Sequence, residues 1–145
     1  MKGIWKYEKL LPKVKNKLTL GEGSTPLIKV KKNMYVKLDY INPTGSFKDR
    51  GSAFLISKVK DEGYENVIID SSGNAAVSTA AYCALAGIKH IAVMPKYSCS
   101  SKKAQVLWHG STIVETPDRE TARIVARRIA KEKSIRYIGF AKDEN

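Results

Sequence analysis

From Val67 onward the chain alternates short apolar runs with helical stretches, and few folds accept that rhythm. The runs are Val67-Ile68-Ile69-Asp70, Ile91-Ala92-Val93-Met94, Thr112-Ile113-Val114-Glu115 and Arg136-Tyr137-Ile138-Gly139-Phe140. Continuous rather than alternating apolarity marks strands buried on both faces. Between them lie helical segments. The first, over 75–86, is alanine on nearly every side and stops at Gly87. The second, over 98–108, places Ala104, Leu107 and Trp108 on one face and is broken by Gly110. The third starts with Pro117 behind Thr116. Proline at a first helical position costs no hydrogen bond, and Asp118 and Glu120 complement the helix dipole. Its inner face is Ala122, Val125, Ala126 and Ile129. Its outer face is a basic row, Arg119, Arg123, Arg127 and Lys131, which reads as a solvent face or as a contact for a phosphate-bearing partner. Strands and helices in this order predict an α/β protein with a doubly wound, four-stranded parallel sheet. Ligands of such sheets bind beyond the carboxyl ends of the strands, at the switch point. Ser71-Ser72-Gly73-Asn74 leaves the first strand there.

The sequence before Val67 differs. Residues 1–20 are lysine-rich with scattered apolar anchors, Ile4, Trp5, Leu10, Leu11, Val14 and Leu18, and predict a helical turn followed by extended chain. Gly21-Glu22-Gly23-Ser24-Thr25-Pro26-Leu27 carries a G-x-G pair without a third glycine or a Walker lysine, so it reads as a turn. Leu27 to Val30 and Met34 to Leu38 predict a hairpin across Lys31-Lys32-Asn33, with Met34, Val36 and Leu38 on one face and Lys37 pointing away from it. Lys37 reads as a solvated strand lysine.

Asn42-Pro43-Thr44-Gly45-Ser46-Phe47-Lys48-Asp49-Arg50-Gly51 is a turn feeding a helix that runs to about Glu62 and stops at Gly63. Ser46 is placed to cap it, and Lys48 falls in the first turn. The helix dipole there disfavours an ammonium, and burial would do the same, so Lys48 is built like a Schiff-base lysine. The Ser-Ser-Gly-Asn loop presents backbone N–H groups, two hydroxyls and an amide, a set suited to a carboxylate or phosphate, although serine and asparagine are also common helix caps.

These stretches resemble one family in order and spacing. PTGSFKDRG at 43–51 resembles the lysine motif of fold-type-II pyridoxal-phosphate enzymes in the form found in threonine synthases. The GEGSTPL segment, the 71–74 loop, and Trp5, Tyr7 and Leu10-Leu11-Pro12 match that family's other landmarks. The resemblance covers nearly the whole chain but only the first part of a usual member. It implies a Rossmann-like small domain over 46–145 with strand order 2-1-3-4 counted from Val67. Residues 1–45 would belong to the large domain. It implies pyridoxal 5'-phosphate as cofactor, held by Lys48, with Asn74 bonding its phenolic oxygen and Phe47 beside it. Ser71, Ser72, Gly73 and Asn74 would grip the substrate carboxylate, and Lys37 takes a second reading as a residue near the substrate. The freed Lys48 would shuttle protons. The implied reaction turns O-phospho-L-homoserine and water into L-threonine and phosphate, a lyase reaction of threonine biosynthesis. Serine/threonine ammonia-lyases and cysteine synthases share the fold and are the alternatives. A truncated, non-catalytic paralogue serving as a ligand-binding or regulatory module is another. No glycine-rich loop for the cofactor phosphate can be pointed to, and an uncovered apolar surface is expected, with self-association or a missing C-terminal portion to cover it.

Charge and cysteine content narrow the rest. The net charge is +12, and residues 1–50 hold +8 of it, from 12 basic and 4 acidic residues. A basic segment with Trp5 and Tyr7 interleaved can attract nucleic acid, but no nucleic-acid motif is present, so a solvated lysine-rich surface or attraction of phosphorylated substrates is expected instead. No apolar run is long enough to span a membrane, and the N-terminus has no apolar signal core. Cys83 reads as a core thiol and Cys99 as a helix-start residue. They match no metal spacing, so no metal is expected, and the location expected is cytoplasmic.

Overall fold

The computed structural model describes residues 3–139. A kinked 3-10 segment, Gly3–Leu10, opens the chain. The hairpin follows as β1 (Leu27–Lys31) and β2 (Met34–Lys37), antiparallel, with Ile28 opposite Val36. Helix α1 (Lys48–Asp61) leads to β3 (Asn66–Asp70), α2 (Asn74–Ala86), β4 (Lys89–Pro95), α3 (Ser100–Trp108), β5 (Thr112–Thr116), α4 (Arg119–Glu132) and β6 (Arg136–Tyr137). Phe140, expected in the last strand, lies outside the described residues.

The sheet is parallel throughout, in the order β5-β4-β3-β6. Counted from β3 that is 3-2-1-4, which corrects the expected 2-1-3-4. The chain first steps outward through β4 and β5. It then crosses back over α4 to pair Ile68 of β3 with Tyr137 of β6. The winding therefore reverses between β3 and β6, and the 71–74 loop leaves β3 beside that reversal.

Alternation inside the strands separates two cores. Val67, Ile69, Ala92 and Met94 face one way, with Ala53, Ile56 and Val59 of α1 and Ala76, Val77 and Tyr82 of α2. Ile68 and Val93 face the other way, against Ala122, Ala126 and Ala130 of α4. Side chains at spacing four share one helix face, and alanines there let α4 lie close to the sheet. Helix α2 is buried from Ala75 to Cys83, as its all-round apolarity requires. Each valine, isoleucine or methionine side chain buried this way contributes about 1.5–3 kcal/mol.

Two apolar faces lie exposed. Helix α3 buries Val106, while Ala104, Leu107 and Trp108 face outward, Trp108 at 88% exposure. At 100° per residue, positions 104 and 108 lie about 200° from 106, so docking through Val106 turns them to solvent. All nine residues of β1 and β2 are exposed, because no element among the described residues covers either side of the hairpin.

The lead-in is fastened to the core. Ile4 and Trp5 are buried in the α1–α2 core, and Trp5 Nε1 donates to the Leu18 carbonyl at 2.6 Å. Glu22 is fully buried and accepts from Ile4 N (3.0 Å), Leu20 N (3.1 Å), Thr19 Oγ1 (2.9 Å) and Tyr82 Oη (2.7 Å). Four donors replace the water a carboxylate loses on burial. Gly3 adopts φ +67° beside it, and a Cβ there would fall 2.2 Å from Glu22 Oε1. Of the two thiols, Cys83 is buried and pushed up to about 12 by desolvation. Cys99 is exposed at the start of α3, and hydrogen bonds from Ser101 hold it below the ordinary thiol range.

Candidate active site

Lys48 is the first residue of α1, and its neighbours hold that helix end in place. Phe47, not Ser46, is the N-cap. Phe47 already has helical geometry (φ −62°, ψ −15°), so the turn closes through backbone bonds from Asp49 N to Ser46 O and Arg50 N to Phe47 O. The Ser46 hydroxyl is buried and caps nothing among the described residues. Asp49 does the anchoring. It is fully buried and accepts from Thr44 N (2.7 Å), Thr44 Oγ1 (2.5 Å) and Ser78 Oγ of α2 (2.6 Å). Ser78 spends its one proton on Asp49 and lies 2.7 Å from Ser52 Oγ. The turn 43–45, α1 and α2 thus meet at one carboxylate next to Lys48. Gly45 completes the turn at φ +78°.

Arg50 ties in the GEGSTPL segment. It grips Asp39 with both terminal nitrogens (2.8 and 3.2 Å) and reaches Thr25 Oγ1 at 3.1 Å. Those bonds hold the Asp39 carboxyl below its usual range. Asn42 Oδ1 accepts from Gly23 N at 2.9 Å.

Lys48 is partly buried, with its ammonium 4.8 Å from the Phe47 ring centroid. It lines a cavity of about 340 Å³ together with the loop Ser71, Ser72, Gly73, Asn74. Ser71 Oγ accepts from Gly73 N (3.4 Å) and Ala76 N (3.3 Å), so Ser71 caps α2 while its own hydroxyl proton stays available. The Ser72 and Asn74 side chains make no hydrogen bond among the described residues. A Cβ at Gly73 would meet nothing within 4 Å, so the space beside that backbone is open.

The structure therefore brings Lys48 and the 71–74 loop together. Phe47 touches Lys48 but is not part of the cavity wall. Lys37 is elsewhere: its Nζ donates to the Thr25 carbonyl.

The sequence reading missed four wall residues: Asp70, Ala75, Arg119 and Tyr137. Tyr137 donates its phenol to Asp70 Oδ1. Burial, reinforced by that bond, pushes Tyr137 up to about 12. With the order 2-1-3-4, β6 would lie away from β3, and Tyr137 could not reach Asp70. Arg119 had a signal, its place at the start of α4, because helices that follow parallel strands all begin at the carboxyl edge of the sheet.

Residues 18–143 match the model of the family described as pyridoxal-phosphate dependent enzyme, and the chain belongs to that family. It is similar to a threonine synthase of Halalkalibacterium halodurans, 36% identical over 93% of this chain and 41% of the relative. It is also similar to a threonine synthase of Methanosarcina acetivorans, 39% identical over 91% and 35%. The chain thus spans about two-fifths of the length of these relatives. Its fold matches that of Escherichia coli diaminopropionate ammonia lyase in apo form, with a TM-score of 0.81 at 17% identity, over 88% of this chain and 43% of that one.

Proposed function

We propose that this chain carries the lysine-bearing half of a pyridoxal-phosphate site for a threonine synthase reaction, the conversion of O-phospho-L-homoserine and water to L-threonine and phosphate. One observation carries the reading: Lys48 and the Ser71, Ser72, Gly73, Asn74 loop, from separate elements, line the same cavity of about 340 Å³. An amine facing a hydroxyl-rich, amide-bearing loop at a helix N-terminus suits the carbonyl and phenol side of the cofactor. Pyridoxal phosphate, when bound, supplies an electron sink for carbanion chemistry.

The chain's own residues divide the remaining work. Lys48 Nζ would hold the cofactor and, when free of it, would move protons at the substrate's Cα and Cβ. Asn74, in the same cavity wall, would help hold the cofactor through its amide. Ser71, Ser72 and the N–H groups at the start of α2 take the substrate carboxylate, which the helix dipole favours. Asp49 keeps the end of α1 fixed while Lys48 moves. In this reading residues 1–45 belong with the larger domain of the family's fold, and the uncovered hairpin supports that division.

The test is a titration of the 145-residue chain with pyridoxal phosphate, followed by borohydride reduction and peptide mass mapping. A visible absorption band and a reduced adduct on Lys48, both absent in Lys48→Ala, are expected. Labelling spread over surface lysines, with Lys48 no more reactive than the rest, overturns the reading.

A further inference from the structure

The cavity beside Lys48 does not end at the 71–74 loop. A second cavity, of about 470 Å³, is lined by Asp70, Arg119, Glu120 and Arg123, and it shares Asp70 and Arg119 with the first. The two spaces therefore adjoin across the start of α4. Arg119 and Arg123 are one turn apart and share a helix face.

These two arginines differ from the others in the chain. Arg50 is held by Asp39, Arg128 lies 4.0 Å from Glu132, and Arg136 lies 3.7 Å from Glu62. Arg127 stacks over the Tyr137 ring at 5.6 Å. The Arg119 and Arg123 side chains make no hydrogen bond or ion pair among the described residues, although Asp70 and Glu120 line the same space. Asp70 Oδ1 is occupied instead by the Tyr137 phenol. Two guanidinium forks are left open towards a cavity that continues from the Lys48 site. A guanidinium fork matches a phosphate or carboxylate in two-point geometry.

We propose that Arg119, backed by Arg123, is a specificity-determining residue of this site. It takes a second anionic group, a phosphate, on a small amino acid whose carboxylate lies at the 71–74 loop, as in the function proposed above. Amino acids ending in a neutral hydroxyl leave both forks unmatched and bind less well. The basic row of α4 thereby divides by role. Its first two members face the ligand, and Arg127 braces Tyr137.

The experiment is calorimetric titration of the 145-residue chain with O-phospho-L-serine, L-serine and inorganic phosphate. The proteins are the parent, Arg119→Gln, Arg119→Lys, R119Q/R123Q, and Arg128→Gln as control. All these side chains are exposed, and circular dichroism checks that each variant folds. The parent is expected to bind O-phospho-L-serine roughly tenfold or more tightly than L-serine, the scale of one charge-assisted contact. That preference is lost in Arg119→Gln, falls further in R119Q/R123Q, returns in part in Arg119→Lys, and persists in Arg128→Gln. Binding of L-serine is unchanged in all of them. A parent without the preference, or a preference that survives in R119Q/R123Q, overturns the proposal. Failure of the cofactor site reads differently, as Lys48 left unlabelled by pyridoxal phosphate whatever Arg119→Gln does to phosphate binding.

Discussion

Tyr137 and Asp70 meet across the β3–β6 junction, where the phenol donates to the carboxylate at the edge of the Lys48 cavity. Tyr137→Phe removes that donor and frees Asp70 to compete for Arg119. The expected cost is about 1–2 kcal/mol of stability, read by urea unfolding. Affinity for O-phospho-L-serine should also fall, by a few-fold.

Asp49 holds the Pro43–Gly45 turn, α1 and α2 at one buried point next to Lys48. Asp49→Ala leaves the Thr44 amide and the Ser78 hydroxyl without their acceptor. A loss of about 3 kcal/mol is expected, together with slower borohydride-trapped labelling of Lys48. Thermal melts and labelling rates measure the two effects. Ser52→Ala, which removes only the outer hydroxyl, should cost stability but leave labelling nearly unchanged.

Glu22 is the fastening of the N-terminal segment. Glu22→Ala strands Ile4 N and the Tyr82 hydroxyl and is expected to cost about 3 kcal/mol. Trp5 is 3% exposed, so release of the segment should shift its fluorescence to the red. A Trp108→Phe background removes the signal of the exposed tryptophan. Tyr82→Phe, which deletes one donor of the four, should produce a smaller change.

His90 sets an acid limit on stability. Thr79 Oγ1 donates to the Ala75 carbonyl, so the His90 Nε2–H donates to Thr79 (2.9 Å) and Nδ1 accepts from Ser111 (2.9 Å). Burial, with a smaller effect from His109, lowers His90 from 6.5 to about 4. The unfolded chain then binds more protons than the folded one between those values. Stability is full above pH 6.5 and falls as the pH drops towards 4, by about 3 kcal/mol in all. Urea titrations across that window should show the slope in the parent and a smaller one in His90→Gln.

Much of this is legible in the sequence. Lys48 at a helix start, Ser71 to Asn74 after a strand, the hairpin and the alternation from Val67 all follow from local rules of turns, caps and period. The exposure of Leu107 and Trp108 was not legible, because a helix with apolar residues on several sides does not say which side docks. Ser46 as a cap failed for a related reason, since the backbone at Phe47 had already turned helical.

The amino-acid order by itself determined the class of fold, the elements and the placement of a lysine and an asparagine loop at element ends, since each depends on residues close in sequence. Tertiary structure alone decided which strand lies beside β3. Pairing between Ile68 and Tyr137 is a contact between distant residues, and an apolar strand fits equally well at several places in a parallel sheet. That one choice brings Tyr137 to Asp70 and closes the wall that Arg119 completes, so the site's outline follows from strand order, which no local pattern encodes.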